Sequence, residues 1–112
     1  MYKIDKYNLN KKFFNVERQN LIKKRPILMA HLTIQQNAIA DFTISTLDDY
    51  NQLLLRVDHI TNIYPKYDEI QSEFEALQEG EEFDLTERQT FEDKFFKLVA
   101  RCKTLLQESQ FN

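Results

Sequence analysis

The chain has 112 residues, enough for one small domain, and 42% of them are hydrophobic while 29% are charged. Its one glycine and two prolines are too few for the tight turns of an all-β fold, because hairpin turns need residues that tolerate a positive φ. The net charge of −3 conceals a basic segment, residues 1–31, followed by an acidic remainder.

Targeting and redox signals are sparse in this chain. No apolar run approaches the ~20 residues that would span a bilayer. The first residues lack the apolar core of a signal peptide. A single cysteine, Cys102, cannot form an intrachain disulfide, which suits a reducing compartment. We therefore expect an intracellular, cytoplasmic protein.

The first predicted elements are an arm and a helix. Residues 1–14 are rich in Lys and Asn and predict a flexible basic arm. A helix is predicted over about 15–42, within a helical assembly domain spanning 15–110. Pro26 removes a backbone donor there, so we expect a kink or break around 24–26. The apolar stripe of this helix consists of Leu21, Leu28, Leu32, Ile39 and Phe42.

A second helix is predicted over about 46–79. Ser45 with Asp48, or Thr46 with Asp49, resembles a capping box in which Asp replaces the usual Glu. Pro65 should bend this helix without ending it, because the apolar pattern resumes in register beyond it. Gly80, the only glycine, is placed to end the helix.

A third helix is predicted over about 85–109, capped by Asp84 with Glu87. Its short connection to the second helix predicts an all-α fold, a long antiparallel helical hairpin with an additional N-terminal helix in a three-helix, coiled-coil-like bundle. The predicted core stripe of the hairpin comprises Leu54, Val57, Ile60, Tyr64, Tyr67, Ile70, Phe74, Leu77, Phe91, Phe95, Leu98, Cys102 and Leu105.

The pattern of reactive residues argues against an enzyme. One glycine cannot build a phosphate-binding loop. His31, His59 and Cys102 fall on three different predicted helices and form no zinc-binding spacing. Solvated histidines and an inert core thiol are the simpler interpretation. We expect no catalytic residues, no metal site and no cofactor.

The basic segment predicts a candidate anion-binding surface for nucleic acid or a membrane. Its candidate residues are Lys11, Lys12, Lys23, Lys24 and Arg25. Alternatively, these cations solubilise the first helix and pair with the acidic hairpin. An acidic chain differs from the usual electrostatic footprint of a nucleic-acid-binding domain.

Three segments carry a family resemblance: RQNLIKKR (18–25), YDEIQSEFE (67–75) and RQTFEDKFFKL (88–98), which continues as VARCKTLL (99–106). Over roughly residues 17–107 the chain resembles the N-terminal region of Gag polyproteins from Bel/Pao-type LTR retrotransposons. The resemblance implies a structural protein of a retroelement particle, or a host protein derived from one, that associates with itself in the cytoplasm.

The sequence therefore predicts a protein–protein assembly module that forms a homodimer or larger oligomer. Apolar residues left over from the core would join the protomers. The candidate interface residues are Leu53, Leu55, Phe96, Val99, Leu28 and Leu32. A heterotypic adaptor, in which the free stripe receives a helix of another protein, is the further alternative.

Overall fold

The computed structural model describes the backbone of residues 3–77 and 85–112, and the side chains of 19–77 and 85–112. It contains three helices: α1, Lys3–Ala40; α2, Leu47–Ala76; and α3, Thr86–Glu108. No strand occurs within those described ranges. The predicted all-α, three-helix fold is confirmed.

Helices α1 and α2 run antiparallel. Arg25 near the middle of α1 bonds Gln71 near the end of α2, whereas Gln35 near the end of α1 accepts from Arg56 in the first half of α2. A residue later in α1 therefore contacts a residue earlier in α2, as in any antiparallel pair of helices. The same reversal relates α2 to α3, so the three helices pass up, down and up.

The helices differ in length, and this shapes the molecule. They contain 38, 30 and 23 residues, or about 57, 45 and 35 Å at 1.5 Å per residue. The principal extents are 74 × 25 × 18 Å. Because Arg25 lies opposite the C-terminal part of α2, the N-terminal turns of α1 extend past the bundle.

Two features of α1 differ from the sequence prediction. The helix begins at Lys3, where a flexible arm was expected up to residue 14. No glycine or proline precedes Pro26 to stop the helix. The helix also continues through Pro26, which excludes the expected break, while the kink stays a prediction. The buried side chains of Leu21 and Leu28 flank the proline on one stripe, so packing on both sides offsets the lost backbone bond.

The start of α2 is as predicted for the second capping alternative. The Thr46 hydroxyl accepts from the Asp49 amide at 3.1 Å, and the Asp49 carboxylate accepts from the Thr46 amide at 3.0 Å. These bonds satisfy amides that the first helical turn leaves unpaired. The amides of Ser45 and Thr46 also lower the pKa of Asp49. Helix α2 continues through Pro65, as expected.

Gly80 was predicted to end α2, and Asp84 was predicted to cap the start of α3. Gly80 and Asp84 lie outside the described residues. The N-cap of α3 is Leu85, which makes no side-chain capping bond.

The core runs along the axis of the bundle and draws on all three helices. Tyr67 and Phe91 stack in it with ring centroids 3.6 Å apart and planes 5° from parallel. The buried cluster consists of Leu28, Leu32 and Ile39 from α1; Leu53, Ile60, Ile63 and Tyr67 from α2; and Phe91, Phe95, Leu98 and Cys102 from α3.

Candidate functional site

The structure buries most of the predicted core stripe. Seven of its residues are buried, namely Ile60, Tyr67, Phe74, Phe91, Phe95, Leu98 and Cys102. Five more are half-buried, namely Val57, Tyr64, Ile70, Leu77 and Leu105. Leu54 is different, because 40% of it is exposed. Its assignment to the core was wrong.

Half of the predicted interface residues lie in the core of the chain itself. Leu53 and Leu32 are 0% exposed, and Leu28 is also buried. These three are therefore unavailable to a partner, and their interface assignment is corrected. Leu55 and Phe96 are exposed, at 69% and 56%, and Val99 is half-buried.

The error at Leu53 and Leu54 comes from three consecutive leucines. The buried face of α2 repeats every seven residues through Leu53, Ile60, Tyr67 and Phe74. An interval of seven keeps side chains on one face of a helix. Intervals of three or four reach the buried Ile60 through Val57 from Leu54 as well as from Leu53, so the spacing alone does not distinguish the two leucines.

Large apolar side chains are exposed on both α1 and α2. Ile27 and Ile34 are 55% and 58% exposed, and their interval of seven places them on one face of α1. The bond between Gln35 and Arg56 puts the neighbouring residues Ile34 and Leu55 at the same level of the bundle. We call Ile27, Ile34 and Leu55 the α1–α2 surface; sequence reasoning missed its two isoleucines, although their spacing was readable.

This surface borders an open groove between the same helices. Ile27 lines the groove together with Lys24 from α1 and Lys66 and Glu69 from α2, and the cavity measures about 320 Å³. Its walls combine apolar side chains with charges of both signs.

Phe96 is exposed at the seam between α2 and α3. Its ring lies 6.1 Å from that of Tyr64 and edge-on to Phe95 at 5.5 Å. The Tyr64 hydroxyl donates to the Glu92 carboxylate at 2.6 Å, and this bond raises the pKa of Tyr64. Phe96 is therefore partly supported within the chain by these two rings.

Arg25 joins all three helices at one end of the bundle. Its guanidinium lies 3.8 Å from the centroid of the Phe74 ring, donates to Gln71 Oε1 at 3.0 Å and pairs with Glu87 of α3. Gln71 is 1% exposed and donates to Glu75 at 3.1 Å. The buried amide therefore has partners on both sides, as buried polar groups require.

Arg88 forms the adjoining link between α3 and α2. It donates to Glu75 at 3.0 and 3.2 Å, to Asp68 at 2.7 Å and to Ser72 at 3.2 Å. The bonds to Glu75 and then Asp68 raise its pKa further above the ordinary value. We call Arg25, Gln71, Glu75, Glu87 and Arg88 the polar cluster.

Of the five predicted anion-binding cations, the structure describes the side chains of Lys23, Lys24 and Arg25, and these three do not form one site. The side chains of Lys11 and Lys12 lie outside those described. Lys23 and Lys24 are exposed on α1. Arg25 is engaged within the polar cluster, and this agrees with the alternative that basic residues pair with the acidic hairpin.

The remaining reactive residues are dispersed. His31 and His59 are exposed. Cys102 is 1% exposed, and burial raises the pKa of its thiol. Among the described residues, no group of three or more His, Cys, Asp or Glu side chains could hold a metal ion. No helix in that part of the chain is long and apolar enough to cross a membrane.

Comparison of the chain with protein-family models, curated proteins and solved structures gives no match.

Proposed function

We propose that this chain is a non-enzymatic helical module that associates with further copies of itself. The α1–α2 surface carries the proposal, because the fold leaves its three large apolar side chains more than half exposed. Single exposed apolar residues are common on protein surfaces, but a group of them usually marks an interface. Because each side chain is already partly covered, covering the rest of it would contribute about 1–2 kcal/mol.

The polar cluster supports the same proposal from inside the bundle. Arg25 and Arg88 form ion pairs with carboxylates of neighbouring helices. In this proposal the bundle is a rigid support for its exposed surface, and its two half-buried arginines serve structure. The resemblance to Gag would give such self-association a role in assembling a retroelement particle or a host assembly derived from one. The proposed self-association does not depend on that origin.

Light scattering after size-exclusion chromatography, at about 1–100 µM, tests self-association in the micromolar range of affinity. The native chain should exceed the monomer mass, and Leu55→Asp should return it toward monomer. Leu47→Asp is the matched control, because Leu47 is 57% exposed in the first turn of α2. A native chain that stays monomeric throughout, with no change on Leu55→Asp, contradicts the proposal and leaves the adaptor alternative.

Exposed Lys23 and Lys24 favour anion binding as a second candidate function. Binding to an anionic vesicle or an RNA would weaken steeply between low and physiological salt. Charge reversal of both lysines should then abolish it. Retained binding after that reversal would exclude these two residues as the contact.

A further inference from the structure

A second pattern of exposed residues follows α1 at coiled-coil spacing. Intervals of four, three, four, three and four place its members on one face. All are exposed, and Asp41 directly follows the last residue of α1. We call this pattern the α1 stripe; it consists of Lys23, Ile27, Ala30, Ile34, Asn37 and Asp41.

The charges of the α1 stripe have opposite signs at its two ends. Lys23 lies seven residues before Ala30, and Asp41 lies seven residues after Ile34. Between these two charges, the small side chain of Ala30 lies between the large side chains of Ile27 and Ile34. A parallel copy would place Lys23 against Lys23 and Asp41 against Asp41. An antiparallel copy reverses this and pairs opposite charges.

We infer that two copies of the chain pair antiparallel through the α1 stripe, about a two-fold axis at the level of residue 32. This inference rests on the proposed self-association and specifies its partner and geometry. In this register Ile34 packs on Ala30 of the partner subunit, and Lys23 faces Asp41 of the partner subunit. Each pair occurs twice, because a two-fold interface uses the same surface on both copies.

The register is fixed by three sets of positions that share one centre. Residues 30 and 34, 27 and 37, and 23 and 41 are each symmetric about residue 32. Every pair joins one seam position of the heptad to the other, as antiparallel coiled coils require. Residues 30 and 34 match in size and residues 23 and 41 match in charge, whereas the third pair places Ile27 beside Asn37 of the partner subunit. Ala30 lacks side-chain atoms beyond Cβ and admits Ile34 closely. Leu55 lies at the level of Ile34 along the bundle.

Cross-linking distinguishes the two orientations. Residues 23 and 41 are 18 positions apart, or about 27 Å along a helix. In the antiparallel dimer, Lys23→Cys should form a disulfide with Asp41→Cys when the two variants are mixed and mildly oxidised. Neither variant should cross-link to itself, because a disulfide needs Cα atoms within about 7 Å. The native chain controls for its own buried thiol, Cys102.

Sedimentation equilibrium measures how substitutions in the α1 stripe change the dimer Kd. Ile34→Asp should raise the dimer Kd at least about tenfold, because it places a carboxylate against an apolar partner. Lys23→Asp and Asp41→Lys should each weaken the dimer several-fold, and the double variant should restore it. Lys103→Asp, an exposed charge reversal on α3, should leave the Kd unchanged. Circular dichroism confirms that each variant folds.

The outcomes separate this inference from the function on which it rests. A native chain that is monomeric at every concentration refutes both. A native dimer that persists unchanged in Ile34→Asp, or that cross-links Lys23→Cys to itself, refutes the antiparallel α1 interface only. In the first case self-association uses another surface, such as the one around Phe96; in the second case the two α1 stripes pair in parallel.

Discussion

Replacing Arg25 with alanine should destabilise the fold, because this side chain joins the three helices at one end. Its side chain is only 13% exposed, whereas that of its ion-pair partner Glu87 is 63% exposed. The guanidinium also covers Phe74 and donates to buried Gln71. The exposed ion pair is therefore the weakest of its three contacts.

The magnitude follows from these contacts taken separately. A cation stacked on an aromatic ring contributes about 0.5–2 kcal/mol. Leaving the Gln71 oxygen short of a donor costs about 1–3 kcal/mol, though the Tyr67 hydroxyl at 3.4 Å partly compensates. The ion pair adds at most about 1 kcal/mol. Because coupled contacts are not additive, we expect Arg25→Ala to cost about 2–4 kcal/mol in total.

Urea unfolding followed by circular dichroism at 222 nm measures this cost at matched protein concentrations, since association shifts apparent stability. Arg25→Lys should recover no more than about 1 kcal/mol, because lysine keeps the charge but lacks the planar fork. Lys24→Ala, at an exposed neighbouring position, should stay within about 0.5 kcal/mol. A loss below about 0.5 kcal/mol for Arg25→Ala would refute the structural role and return Arg25 to the candidate anion-binding residues.

Further substitutions and titrations test other parts of the structure. Phe91→Ala should lower the free energy of unfolding in urea by about 3–5 kcal/mol, because Phe91 is 0% exposed. Phe96→Ala, at an exposed position, should cost clearly less. Equal losses would contradict the assigned core. Burial raises the pKa of Tyr67 from 10.0 to about 12. Its contribution to stability should therefore be complete below pH 10 and be lost as pH rises through that folded-state value, and ultraviolet titration compared with Tyr67→Phe checks this. Thr46→Ala should remove the α2 cap and cost about 1 kcal/mol in the same unfolding assay. Native Cys102 should resist a thiol reagent that modifies the unfolded chain at once, and rapid labelling of folded protein would contradict its burial.

Local signals predicted much of the fold. The single glycine and the apolar spacing indicated long helices, and the Thr46–Asp49 pair marked the start of α2 one residue before its observed first residue. Both signals act within a few residues, so sequence alone displays them. The expected passage of α2 through Pro65 was also confirmed, because the apolar pattern resumed in register on the far side.

The parts that sequence did not predict depend on neighbouring helices. Intervals of three and four fit Leu53 and Leu54 equally well, and only the packed positions of α1 and α3 decide which one is buried. The role of Arg25 likewise depends on Gln71 and Glu87, which lie 46 and 62 residues away. Nothing near Arg25 in the chain distinguishes it from Lys23, which stays exposed.

The difference between the paired Arg25 and the exposed Lys23 bears on both candidate functions. Arg25 and Arg88 form ion pairs between helices. The number of basic residues in the sequence is therefore larger than the number of cations available to a partner. Lys23 is one of the exposed cations left, and it also lies at the end of the α1 stripe. A bound polyanion and a second copy would therefore compete for the same lysine. Salt would separate them, because screening weakens an anion contact throughout, whereas the dimer retains the apolar contribution of Ile34.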